Sequence, residues 1–216
     1  MEKIIFFGDS FTYGDGLPDC MGGGERGLGE GPKPSKLGWA NLLCEMRGAS
    51  GRNLSKSGSS NIEILWNMLH TEIEPDEIII VQWSFWNRDC LLDDPVTTIL
   101  PNHVDRPPVI PYYKLHSNSD MINRNWLNIN HGLLWLKQKP NHFFMFSNER
   151  AYTGTRFRAY CESDKNKIKL TDEMSSHYFN DLHWLDMADD DDHAGPKTNA
   201  RWAETVNKIL DSKLKN

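Results

Sequence analysis

The chain has 216 residues, of which 38% are hydrophobic and 25% charged, with a formal net charge of −6 at pH 7. That is ordinary globular material, long enough for a full core and a parallel sheet in one domain spanning residues 1–216. The acidic balance argues against a nucleic-acid binder, which needs clustered Lys and Arg, and no run approaches the ~20 apolar residues that cross a bilayer.

The first predicted element is a short buried strand, Ile4-Ile5-Phe6-Phe7, which runs directly into Gly8-Asp9-Ser10-Phe11-Thr12-Tyr13-Gly14. In an open α/β sheet, ligands bind beyond the carboxyl ends of the strands, so this turn puts Ser10 where a substrate belongs. Gly-Asp-Ser is also ordinary turn composition, and the chemistry must therefore be judged from the rest of the chain. Lys3 and four apolar residues are too few for a signal-peptide core. Cys20, Cys44, Cys90 and Cys161 show neither close pairing nor zinc spacing, so reduced thiols in a cytoplasmic setting are expected. Release by lysis or carriage on a particle would leave the same pattern.

A glycine-rich loop follows over about residues 14–36, with Gly22-Gly23-Gly24 and Gly27-x-Gly29-x-Gly31. It lacks the Gly-Lys-Ser/Thr of a P-loop and the spacing of a dinucleotide fingerprint, so an active-site rim is the expectation. Trp39, Leu42, Leu43 and Met46 predict the apolar face of a first helix. Arg52-Asn53-Leu54 predicts a second strand, and Ile62, Leu65, Trp66 and Leu69 a second helical face, with Pro75 closing that segment. Residues 77–82 form a near-continuous apolar run, as in a parallel strand buried on both faces.

Residues 91–116 are proline-rich and predict an insertion draped over the site. Ser117 to Asp120 offer N-caps for a longer helix whose face holds Ile122, Trp126, Ile129, Leu133 and Leu136. His142 to Phe146 predict another strand, residues 147–189 a second loop region with one short element, and Trp202, Val206, Ile209, Leu210 and Leu214 a C-terminal helix. Strand–helix alternation of this kind implies a three-layer α/β/α sandwich around a mostly parallel sheet of about five strands. Trp39, Trp66, Trp126 and Trp202 are expected in the core. Trp83 and Trp86, at a strand end, are expected to line a cleft for a sugar or an acyl chain, with core packing as the alternative.

Before the last helix stands Asp190-Asp191-Asp192-His193-Ala194-Gly195-Pro196. A serine hydroxyl needs a base to take its proton, usually a histidine held in one tautomer by a carboxylate. An Asp three residues before a His can fold back onto Nδ1 and leave Nε2 for a serine, and Asp190 and His193 have that spacing. A solvated acidic loop is the alternative. A calcium loop would need alternating rather than consecutive acids. His183, near Asp181 and Asp186, lacks the spacing, and Arg156 and Arg158 suit either an acidic substrate group or a salt-bridged loop.

These blocks, in this order, resemble the SGNH (GDSL-type) hydrolase superfamily of esterases, lipases and acyl-carbohydrate deacetylases. The resemblance implies a flavodoxin-like fold, Ser10 as nucleophile and oxyanion donor through its own N–H, and Asp190 and His193 as its partners. Asn53 to Asn61 is similar to the family's second block and nominates the Gly58 N–H as second donor. The third block departs. The family pattern is Gly-x-Asn-Asp, whereas here Trp83-Ser84-Phe85-Trp86-Asn87-Arg88-Asp89 carries no glycine. Asn87 is the nominee for the third donor, with Ser84 and Gln82 as alternatives, and losing one such donor costs ~10²–10³ in rate. The expected activity is hydrolysis of a short acyl ester, such as acetyl, on a carbohydrate or small alcohol, with no metal or organic cofactor, no nucleic-acid partner and no membrane partner. An acyltransferase with the same triad, or a binding module that kept the fold and lost turnover, are the alternatives.

Overall fold

Alternate residues of the apolar strands face opposite sides of one sheet, which is why those strands read as unbroken hydrophobic runs. The computed structural model describes residues 1–20, 33–93, 96–101, 109–148 and 178–214. Strands β1 (Lys3–Phe7), β2 (Ser50–Asn53), β3 (Glu77–Trp83), β6 (Phe143–Asn148) and β7 (Tyr178–Leu182) form a five-stranded sheet in the order β2-β1-β3-β6-β7, parallel at every pairing. The short β4 (Asp89–Leu91) and β5 (Thr97–Ile99) make a separate antiparallel pair that straddles the start of the predicted insertion.

Ile4 and Phe6 of β1, Ile78 and Ile80 of β3, and Phe144 and Phe146 of β6 pack on one side against helices α2 (Trp39–Arg47) and α6 (Pro196–Leu214). Ile5 and Phe7, Ile79 and Val81, and Phe143 and Met145 pack on the other side against α3 (Asn61–Leu69) and α5 (Asn118–Leu136). The result is the three-layer sandwich expected from the alternation. Ser117 caps α5 by accepting the Asp120 N–H, as its position predicts. A further short helix, α4 (Val109–Leu115), lies in the insertion.

The helical faces differ in detail. On α3 the buried residues are Asn61, Glu63, Ile64, Leu65 and Met68, while Trp66 is 43% exposed and stacks on His70. Trp66 is therefore a surface residue rather than core. On α2, Ala40 and Cys44 join Trp39 and Leu43 inside, and Met46 points out. The expected segment 147–189 contributes β7, and its residues 149–177, with Cys161, Arg156 and Arg158, lie outside the described residues, as do residues 21–32 of the glycine loop. Among the described residues no helix is long and apolar enough to cross a membrane. Cys20, Cys44 and Cys90 are buried free thiols, and burial pushes them up to about 12, about 11 and about 11.

Candidate active site

The chain leaves β1 through Gly8, where a Cβ would collide with the Thr12 side chain, and enters the one-turn helix α1 (Ser10–Tyr13). Asp9 caps this helix, accepting the Phe11 N–H on Oδ1 at 3.1 Å. Ser10 thus stands at the first helical position, where its N–H lies outside the intrahelical ladder and at the positive end of the turn. Ser10 is only 2% exposed, and its Oγ has no hydrogen-bond partner among the described residues. A buried hydroxyl left unpaired costs about 1–3 kcal/mol, so such a group calls for a functional explanation.

The second half of the site comes from the loop between β7 and α6. Asp186 anchors that loop to the helix, its carboxylate accepting the N–H groups of Lys197 at 3.0 Å and Thr198 at 2.7 Å. Pro196 begins the helix, a position that suits a residue lacking an N–H. Within the loop, Asp190 Oδ1 accepts the N–H groups of Asp192 (3.1 Å) and His193 (3.0 Å), and Oδ2 meets His193 Nδ1 at 2.6 Å. Asp191 takes the left-handed conformation (φ 55°) that lets the chain double back. Burial alone would raise the Asp190 carboxyl, but the His193 ring and the two N–H groups hold it below its ordinary value. With Nδ1 donating to a carboxylate, Nε2 of His193 carries the free lone pair.

The two halves touch. The Phe11 and His193 rings lie 5.2 Å apart, and the Cα of Gly16 leaves no room for a Cβ against the Asp190 carboxylate. A third element, the loop after β2, is tied to the same turn. Lys56 N–H donates to the Gly8 carbonyl (3.2 Å), Asn53 Nδ2 to the Thr12 carbonyl (2.9 Å), and the Ser57 hydroxyl to Asp15. Gly58 sits in the tip of the Lys56–Ser59 turn with φ +74°, beside the Thr98 and Leu100 side chains. The Ser10 turn, the Gly58 loop and the Asp190–His193 loop therefore meet at the carboxyl end of the sheet.

No family model matches the sequence, and no curated protein matches it; similarity is found among solved structures. A carbohydrate esterase family 2 enzyme with its carbohydrate binding domain from Corynascus thermopiles (Myceliophthora fergusii) superposes with a TM-score of 0.58 at 13% identity, covering 100% of this chain and 67% of that one. The acetyl xylan esterase Est2A of the rumen bacterium Butyrivibrio proteoclasticus gives 0.56 at 17% identity, over 99% and 64%. The psychrotrophic esterase EstA of Pseudoalteromonas sp., in a structure inhibited by monoethylphosphonate, gives 0.55 at 12% identity, over 100% of both chains. The fold is that of the SGNH hydrolases. The chain spans about two thirds of the length of the two carbohydrate esterases it is similar to.

Within this SGNH fold the third-block segment is arranged differently from the sequence expectation. Asn87 occupies the tip of a turn closed by Arg88 N–H on the Phe85 carbonyl (3.3 Å). Its own carbonyl accepts the Tyr113 hydroxyl at 2.7 Å, while its side chain makes no hydrogen bond among the described residues. Of the alternatives, the Ser84 hydroxyl donates to Asp9 Oδ2 at 2.7 Å, whereas Gln82 accepts the Thr12 hydroxyl on Oε1 and keeps its Nε2, the atom that could donate to an oxyanion, buried without a hydrogen-bond partner among the described residues. Arg88 donates to the same Asp9 oxygen at 3.0 Å, and Asp89 turns away to Tyr112 and Arg124. The turn is held from outside by Asn61 and Asn125, which bond the Ser84 backbone, each other and the Trp86 carbonyl.

Trp83 does not line a cleft. It is fully buried on the face of β3 shared by Ile79 and Val81, against α5 at Gly132, whose Cα is too close to the ring for a Cβ. Trp86 is half-buried on the edge of the same cluster. The aromatic residues beside Ser10 are instead Phe11, Phe85 and Trp184, the first packed on both others. His183 is exposed and serves through its carbonyl, which accepts the Trp202 indole N–H. Asp9 is the residue that sequence reasoning passed over. An acidic residue directly before a helix turn is the usual N-cap signal, and it was available.

Proposed function

We propose that this chain is a serine ester hydrolase that releases a short acyl group, such as acetyl, from a carbohydrate or small-molecule alcohol. The observation that carries the reading is the Asp190–His193 pair, bonded at 2.6 Å and packed against the turn that bears a buried, unpartnered Ser10 hydroxyl. In this reading His193 Nε2 removes the Ser10 proton as Oγ attacks the acyl carbonyl, and Asp190 holds the tautomer and offsets the imidazolium charge. The N–H groups of Ser10 and Gly58 bind the oxyanion. His193 then protonates the departing alcohol, and water repeats the sequence on the acyl-enzyme to release the acid.

The small acyl group is supported by the tight enclosure of Ser10 and by the likeness to carbohydrate esterases and an acetyl xylan esterase. The test is steady-state hydrolysis of p-nitrophenyl acetate and octanoate by the protein and its Ser10→Ala variant. Turnover that favours acetate and vanishes in the variant supports the reading. Equal rates for protein and variant would leave the chain as a binding module on an esterase fold.

A further inference from the structure

Asp9 is fully buried, yet its two carboxylate oxygens accept three hydrogen bonds: Phe11 N–H on Oδ1, and both Ser84 Oγ and Arg88 Nη1 on Oδ2. Arg88 Nη1 also reaches Ser84 Oγ at 3.2 Å, closing a three-membered cluster, and its guanidinium lies 4.6 Å over the Phe85 ring. The segment that fails to show Gly-x-Asn-Asp thus sends two of its side chains to one atom of the residue preceding Ser10. A glycine in place of Ser84 would have no hydroxyl to give.

We propose that Arg88 and Ser84 are positioning residues that act through Asp9 to set the N-terminus of α1, and with it the Ser10 N–H and Oγ; this rests on the reading of Ser10 as nucleophile. The Phe11 N–H is held by Asp9, so the Ser10 N–H remains the free donor at the start of the turn. The second contribution is charge. A bare carboxylate one residue from the nucleophile would oppose the negative charge that develops on the acyl oxygen. Arg88 cancels it. Burial holds the Asp9 carboxyl above its ordinary value, and Arg88, Ser84 and the Phe11 N–H offset part of that rise.

The experiment compares kcat and KM on p-nitrophenyl acetate for the wild type and for Ser10→Ala, Arg88→Met, Arg88→Lys, Ser84→Ala and the double variant Arg88→Met/Asp9→Asn, each checked for folding by circular dichroism. Misplacement of a reacting group costs about 10²-fold, so Arg88→Met should lose about that much kcat with KM little changed. Arg88→Lys, which keeps the cation, should recover at least tenfold of that loss, as should the double variant, which removes both charges. Ser84→Ala should lose kcat in the same direction, and it carries the test with Arg88→Lys if Arg88→Met does not fold. A folded Arg88→Met with wild-type kcat, or a loss confined to KM, overturns this assignment alone. A wild-type rate no greater than that of Ser10→Ala overturns the hydrolase reading, and this assignment with it.

Discussion

Gly16 joins the two halves of the site, and adding a single methyl group there tests whether they belong together. The residue has φ +79°, and a Cβ would stand 2.6 Å from Asp190 Oδ2 and 2.8 Å from its Cγ and Oδ1. Ordinary contact begins at 3.4 Å, so the carboxylate would have to retreat by about 0.8 Å. A retreat of that size directed away from the ring would stretch the Asp190–His193 bond, now 2.6 Å, past the roughly 3.2 Å limit of a good N–H···O bond. Displacement of this size costs about 10²-fold in rate, short of the ~10⁴-fold attached to losing the orienting carboxylate altogether. The left-handed backbone adds about 1–2 kcal/mol of destabilisation, or about 2–8 °C in Tm for a chain of this length. Gly48→Ala is the control: Gly48 has φ +58° with nothing within 4 Å of the added methyl, far from the site. Both variants should lose similar Tm in calorimetry, and only Gly16→Ala should lose kcat on p-nitrophenyl acetate. Equal kcat in the two would refute the claim that the Ser10 turn and the Asp190 loop form one site.

Trp83→Ala should cost about 3–5 kcal/mol in denaturant unfolding, as for a fully buried aromatic; a loss under about 0.5 kcal/mol would return Trp83 to a surface cleft. Asp186→Ala removes the acceptor of two N–H groups at the start of α6 and should cost about 1–2 kcal/mol. Burial works against the Asp186 charge, but Thr198 and Lys197 outweigh it and hold the carboxyl below its ordinary value. Its stabilisation is therefore complete above the unfolded value of about 4 and fades as pH falls through the lower folded one. The Tm gap between wild type and Asp186→Ala should hold steady near neutrality and close below about pH 4, and a gap that widens in acid would contradict this.

The parts of the site that lie within a few residues of one another were legible in the sequence. A strand running into a serine turn, and an Asp three residues before a His, are local patterns, and the Ser10 turn and the Asp190–His193 bond both occur where those patterns lie. Helical faces were harder. On α3 two apolar stripes overlap, Ile62-Leu65-Trp66-Leu69 and Ile64-Leu65-Met68. Contact with the sheet and α5 selects the second, while Glu63 is buried with Lys56 as its ion partner. The apolar run 77–82 ends one residue short of β3, which continues through Trp83, and there the period of two puts the ring on the face of Ile79 and Val81. The Arg88–Asp9 contact spans 79 residues and leaves no local trace. It exists because parallel neighbours β1 and β3 end side by side, which only the assembled sheet specifies.

Covalent trapping shows whether Ser10 is a nucleophile activated by His193. The protein is incubated with diethyl p-nitrophenyl phosphate, and the adduct is located by intact mass and peptide mapping. The expected result is one diethylphosphoryl group on Ser10, none in Ser10→Ala, and labelling slowed at least ~10²-fold in His193→Ala. An unlabelled wild type, or a label on another residue that persists in Ser10→Ala, would contradict it.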